Sequence, residues 1–307
     1  MDNLINRIFK NVAGLGSLML PTSKLIKISG QPVFFPFYHA ITNTREPHLA
    51  HLNVTRSIDQ FKRDLEYLLK YLEPINQDEL INSNIKKPSF LLTFDDGLSE
   101  FYDVARPILL AKGIPCTVFV NSAFVDNKRL FYRFKASILV EKTKDKSHLL
   151  LDYSHRKELD ERAQKLGVDF KEYLETKKPY MSLDQLKELV KDGFSVGAHS
   201  IDHPRFNSIP VAEQKRQIKE SINFIEEQLG ITQKTFAFPF DDLGVTKEIY
   251  NDIEDIALYF GTSGINTGSV LNSYQRTVIE GKGEMNRIIR NEYAYYIIKK
   301  RIFKFSV

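Results

Sequence analysis

Two adjacent carboxylates, Asp95 and Asp96, close the apolar run Ser89 to Phe94, and much later in the chain His199 and His203 follow a second such run, Phe194 to Ala198. Carboxylates this close repel each other unless a cation or a shared proton lies between them. Neutral imidazole is a preferred zinc ligand, and two histidines with one carboxylate leave a position open for water, the arrangement of a catalytic rather than a structural metal. Each pair also has a plain reading: an Asp-Asp-Gly turn or helix cap for the acids, and a surface or capping role for the histidines. Finding both pairs at strand ends favours the metal. The two runs are short, apolar and β-branched, so both read as buried strands. In parallel α/β folds the loops after strand C-termini are where sites are built.

Around these residues the chain resembles a known family. Thr93-Phe94-Asp95-Asp96-Gly97 and His199-Ser200-Ile201-Asp202-His203 are similar to the first two motifs of the polysaccharide deacetylases, carbohydrate esterase family 4. Phe236-Ala237-Phe238-Pro239-Phe240 is similar to the third motif, and Phe37-Tyr38-His39 to the Tyr-His near the start of many bacterial members. The resemblance spans roughly Pro32 to Ile279. It implies an α/β fold, the distorted (β/α)7 barrel of that family with a helical insertion. It also implies a divalent metal on Asp96, His199 and His203, zinc first, with cobalt, nickel or iron also suited to the donor set. Asp95 would be the general base toward the attacking water, and the Phe240 N–H would serve the oxyanion.

The chain departs from the family pattern at two points. Members commonly take the general acid from a histidine in their last motif, and here no histidine follows His203. His39 is the expected acid, as in the biofilm-type poly-N-acetylglucosamine deacetylases, with a structural role as the alternative. The arginine that many members carry at the start of the third motif is also absent, its place lying near Lys234 or Thr235. Arg276, in Tyr274 to Ile279, resembles the Pro-Arg-Ile stretch of some members. It is the candidate to orient Asp95 or contact substrate, with a surface salt bridge as the alternative. Asp242 is expected to cap the turn that follows it.

The activity implied is removal of an N-acetyl group from an amino sugar of a polysaccharide or lipid-linked glycan precursor. A deformylase or other amide hydrolase on the same barrel is the nearest alternative, and a non-catalytic, metal-containing glycan-binding barrel the more distant one. The 307 residues, 42% hydrophobic and 27% charged, suffice for one large core. We divide them into an N-terminal helical extension (1–31), the barrel (32–280, with a helical insertion about 125–181) and a basic amphipathic C-terminal helix (281–307). The insertion is expected to be a solvated, lid-like subdomain, and coverage of substrate by Tyr132 and Arg133 is the alternative. Ser57-Ile58-Asp59-Gln60 and Ser182-Leu183-Asp184-Gln185 are capping boxes that open helices, and Gly193 and Gly230 stop them.

The single cysteine, Cys116, rules out a disulfide framework and reads as a buried inert thiol in a core strand. No convincing signal peptide or membrane span appears near the N-terminus, although Val12 to Leu20 is apolar and small. The expected location is cytoplasmic or peripheral to the inner face of the membrane. The net charge of +4 is concentrated toward the C-terminus, in Arg287, Arg290, Lys299, Lys300, Arg301 and Lys304. That helix is expected to pack its apolar stripe on the barrel, and resting on an anionic membrane is the alternative. Nothing resembles a nucleic-acid module, so no nucleic-acid partner is expected.

Overall fold

The computed structural model describes residues 20–303 except 84, 254, 267–269 and 282. Most of the expected N-terminal extension (1–19) and the end of the C-terminal segment (304–307) lie outside the described residues. The barrel strands are β1 (Pro36–Tyr38), β2 (Leu92–Phe94), β3 (Cys116–Val120), β4 (Ser195–Ala198), β5 (Lys234–Ala237), β6 (Ile256–Gly261) and β7 (Ser273–Gln275 with Thr277–Val278). The helices of eight residues or more are α1 (Thr22–Ser29), α2 (Ile58–Tyr71), α3 (Tyr132–Thr143), α4 (Arg156–Lys165), α5 (Phe170–Lys177), α6 (Leu183–Lys191), α7 (Val211–Leu229) and α8 (Met285–Phe303).

All barrel strands are parallel. The sheet comprises eight hydrogen-bonded segments, and its two end segments are the halves of β7. The first half pairs with β6 (Phe260 opposite Tyr274) and the second with β1 (Thr277 opposite Pro36). One strand path therefore switches partners at Arg276 and brings the sheet nearly closed, as the expected seven-stranded barrel requires. The switch is visible in the backbone, where Arg276 N–H donates to Gly261 and Thr277 N–H to Phe35. Because the registers align Tyr38 with Phe94, Phe94 with Val118, Val120 with Ala198 and Ala198 with Phe236, the residues after β1, β2, β4 and β5 emerge at one mouth.

Local chemistry sets the helices. Ser57 and Ser182 form complete capping boxes with Gln60 and Gln185, opening α2 and α6. Gly230 ends α7 in the left-handed conformation that glycine takes without steric cost. Ile218, Ile222 and Ile225 of α7 recur at helical spacing and are buried with the barrel core, each burial contributing roughly 1.5–3 kcal/mol. In α8, Ile289 and Tyr293 are fully buried, and the helix packs on α1 and α2. The apolar stripe of the C-terminal helix is thus used internally. Among the described residues no helix is long and apolar enough to cross a membrane.

The insertion differs from expectation: it is a packed second layer over the mouth, not a solvated subdomain without contacts. Its helices α3 to α5 bury Phe134, Leu139, Leu159 and Leu174 in one cluster with Leu98 and Phe124 from the barrel loops. Tyr180 stacks on Phe124 at 5.0 Å, and its hydroxyl accepts from the Phe131 N–H. Met181 N–H donates to Gly97 and Ser99 N–H to Pro179, so the insertion is tied to the loop that carries Asp96. Leaving these apolar side chains exposed to water would be unfavourable, so the helices pack down on the barrel loops.

Beneath α5 lies a buried polar group: His48 Nδ1 is 2.9 Å from the Tyr173 hydroxyl and His48 Nε2 is 4.0 Å from Glu100. Burial pushes Glu100 up to about 7, and burial, with Lys177 nearby, pushes His48 down to about 3. A carboxyl whose folded pKa exceeds its unfolded value contributes stability below the unfolded value, about 4.5, that is lost as pH rises through the folded one, about 7. Glu100→Gln should therefore stabilise the protein by roughly 1–3 kcal/mol at pH 8 and by nothing near pH 4. Urea midpoints at the two pH values check this, and an equal shift at both would refute it.

Candidate active site

Four strand ends deliver the expected residues to one place. Asp95 and Asp96 follow β2, His199 and His203 follow β4, Pro239-Phe240 follows β5, and His39 follows β1. The histidine pair sits on a tight loop rather than a helical turn. Ser200 and His203 both have positive φ there, the His203 N–H donates to Ser200 Oγ at 3.0 Å, and the Asn121 amide holds the His199 carbonyl and Ser200 Oγ. Asp96 and Phe240 are also in the left-handed region. Four such residues, none a glycine, at one mouth represent backbone strain that the surrounding packing must sustain.

The ligand atoms of Asp96, His199 and His203 all lie within 4.8 Å of one another, and all three residues are buried. Asp96 Oδ1 is 3.3 Å from His203 Nε2 and 3.7 Å from His199 Nε2, separations that ligand bonds of about 2.0–2.2 Å to one ion would subtend. His199 Nδ1–H donates to the Ala237 carbonyl at 2.7 Å, which leaves its Nε2 lone pair for a metal. Burial holds His199 below its ordinary range, and burial with the adjacent His199 holds His203 well below, so both rings are neutral donors. Burial, reinforced by Asp95 and Glu280, raises Asp96, and its Oδ1 has no hydrogen-bond partner among the described residues. A buried, unsatisfied carboxylate oxygen facing two neutral imidazoles is what a divalent cation fits.

Asp95 is held differently. Arg276 donates to Asp95 Oδ1 at 2.6 Å and Oδ2 at 2.8 Å and to Thr93 Oγ1 at 3.0 Å. Burial works against the Asp95 charge, but the Arg276 guanidinium, with His199, overrides it and holds the carboxyl below its ordinary value. Arg276 is itself 0% exposed and lies 4.5 Å over the Phe37 ring and 5.3 Å over that of Phe119, a cation enclosed by aromatic faces. Of the roles open to Arg276, orienting Asp95 fits this placement. Substrate contact and a surface salt bridge do not, since its donors are spent behind the carboxylate.

His39 lies at the mouth with its side chain 16% exposed. Burial opposes its charge, but Glu280, 3.5 Å from Nδ1, together with Asp96 and Asp95, lifts it to about 9. Glu280, which also accepts from the His39 N–H, escaped the sequence reading. Its only signal is an acid directly after the last strand-like run. Phe131 likewise went unnoticed: its ring is 4.6 Å from that of His203, whereas its neighbour Tyr132 turns toward Tyr153 and Arg133 lies 5.8 Å over the Phe240 ring. Asp242 does not cap a turn with its side chain; it accepts from Gln275 Nε2 at 2.5 Å. Asp241 caps instead, accepting from the Leu243 N–H at 3.1 Å. The Phe240 carbonyl is held by Thr262 Oγ1 at 2.6 Å, and the Phe240 N–H has no acceptor among the described residues.

Comparison with known proteins bears on this geometry. The chain is similar in structure to the Streptococcus pyogenes deacetylase PplD solved with acetate (19% identity, TM-score 0.61, covering 85% of this chain and 97% of that one). It is also similar to IcaB from Ammonifex degensii (19%, 0.59, 86% and 97%) and to a de-N-acetylase from Aggregatibacter actinomycetemcomitans (14%, 0.58, 84% and 99%). At these identities the likeness establishes the barrel fold. No curated protein sequence matches the chain. The sequence profile described as polysaccharide deacetylase matches residues 82–255, more than half of the chain and all three motifs around Asp95, His199 and Phe240, so the chain belongs to the polysaccharide deacetylase family of hydrolytic N-deacetylases.

Proposed function

We propose that this protein removes the N-acetyl group from an amino sugar of a glycan in a metal-dependent hydrolysis, with Asp95 as general base and His39 as general acid. The observation that carries the reading is the pair of opposed environments flanking the Asp96–His199–His203 triad: Asp95 held anionic by Arg276 and His39 held cationic by Glu280. Titratable groups pushed apart in this way assign base and acid. A divalent metal on the triad, zinc being the first choice for two histidines and a carboxylate, would supply Lewis acidity toward the acyl oxygen and acidify water.

The chain's own groups account for the rest. Asp95, fixed by two hydrogen bonds, accepts a proton from the attacking water. The Phe240 N–H, displayed by a left-handed residue whose carbonyl Thr262 restrains, donates to the developing oxyanion. His39, protonated through neutral pH, gives its proton to the departing amine. Phe131 and Phe240 pack against His203 and limit water around it.

The test is acetate release from N-acetylglucosamine oligomers, and formate release from their N-formyl counterparts, by metal-loaded protein across pH. His39→Ala should lower the rate about 10²–10⁴-fold. Glu280→Gln removes the charge that raises His39, so the rate should fall at lower pH, the alkaline limb moving from near 9 toward the ordinary value of about 6.5. An unmoved limb, or a His39→Ala variant at wild-type rate, would place the acid elsewhere. Formate release without acetate would make the protein a deformylase.

A further inference from the structure

The insertion carries an open-sided cavity of about 640 Å³ that the chemistry above does not use. Six cationic side chains line it, Lys128, Arg129, Lys135, Arg156, Lys157 and Lys171, against three carboxylates, Asp160, Glu175 and Asp202. The carboxylates are engaged: Asp160 by Lys135 at 2.6 Å, Asp202 by the Tyr153 hydroxyl at 2.9 Å and by Gln217, and Glu175 by Lys171 at 3.9 Å. Lys128 faces Asp126 at 3.3 Å, and Arg156 lies 4.3 Å over the Tyr153 ring. Arg129 and Lys157 are exposed and have no carboxylate partner among the described residues. The cavity thus carries surplus positive charge beside the aromatic faces of Tyr132, Tyr153 and Phe170.

It also adjoins the active site. Asp202 immediately precedes His203, and Tyr132 follows Phe131, whose ring touches that of His203. Arg133, over Phe240, continues the positive charge to the mouth. The cavity is therefore one residue along the chain from the triad on the 202–203 loop and one residue from its Phe131 wall.

We propose that this cavity binds a phosphate-bearing stretch of the glycan, next to the sugar whose acetamido group meets the triad; the proposal rests on the deacetylase reading. Guanidinium forks suit phosphate oxygens, and aromatic faces suit the apolar faces of sugar rings. The cations converge into a concavity rather than lying on a flat face, so a polymer segment enters where a bilayer surface does not.

The experiment measures binding of labelled poly(glycerol phosphate), by fluorescence anisotropy at low and high salt, to the full chain, to Asp95→Asn and to Arg129→Glu/Lys157→Glu. A neutral N-acetylglucosamine oligomer and phosphatidylglycerol vesicles serve as parallel probes. Wild type and Asp95→Asn should bind the polymer alike, with affinity falling as salt rises, and the double variant should bind at least about tenfold more weakly. An unchanged urea midpoint for the double variant confirms that its fold is intact. The proposal fails if the polymer binds no tighter than the neutral oligomer, if the folded double variant binds as wild type does, or if the vesicles bind and the polymer does not. Polymer binding by a wild type that releases no acetate supports the cavity while overturning the catalytic reading. Acetate release from the neutral oligomer without polymer binding does the reverse.

Discussion

Arg276→Met should abolish measurable acetate release and lower stability by about 3–5 kcal/mol, because it leaves Asp95 as a buried charge without its partner. Arg276 is fully buried, and both Asp95 oxygens accept from it. Methionine fills similar volume among Phe37, Phe119 and Phe260, so the loss would report charge and orientation rather than an empty space. Arg276→Lys keeps the charge but not the planar fork that holds both oxygens. It should retain most of the stability and lose the orientation, with kcat falling more than KM rises. Urea denaturation and steady-state kinetics on the same preparations separate the two effects. A Met variant within about fivefold of the wild-type rate would show that Asp95 needs no orienting cation and would remove the strongest support for its role as base.

His203→Ala should cost both the metal and the reaction. Wild type, dialysed against metal and then buffer, should retain about one equivalent by elemental analysis, and the variant should retain almost none. Activity should fall by at least about a thousandfold, with no rescue by added zinc, since the Lewis acid and the acidified water are lost together. Asn121→Ala makes a finer comparison: its amide holds the His199 carbonyl and Ser200 Oγ, and the residue is not one of the three ligand candidates. Loss of such a supporting bond typically costs about 10–100-fold in metal affinity. Excess metal should restore the rate of Asn121→Ala but not that of His203→Ala. Full metal content in His203→Ala would take this histidine out of the ligand set.

Much of this was legible along the chain, for local reasons. Residue types and their placement after apolar runs mark Asp95, Asp96, His199 and His203, because a metal site needs particular donors and a parallel barrel presents them at strand ends. Capping boxes at Ser57 and Ser182 read directly, since the atoms that bond are three residues apart. The apolar stripe of the C-terminal helix also reads directly, as a pattern of periodicity, while its contacts with α1 and α2 show where that stripe packs.

What the chain alone left open was decided by contacts between distant segments. Asp95 and Arg276 are 181 positions apart, and a site role and a surface salt bridge stayed about equally open for the arginine until barrel closure placed it behind the carboxylate. Closure itself depends on β7 changing partners at that residue, which no local pattern encodes. Glu280 acquires its effect on His39 only because the second half of β7 lies beside β1. The insertion is charged and helical in sequence, and only the joint burial of its apolar residues with Leu98 and Phe124 turns it over the mouth. Donor types and strand ends are local properties, legible one segment at a time. The partner of each buried charge is a property of the closed barrel, set by which segments exclude water together.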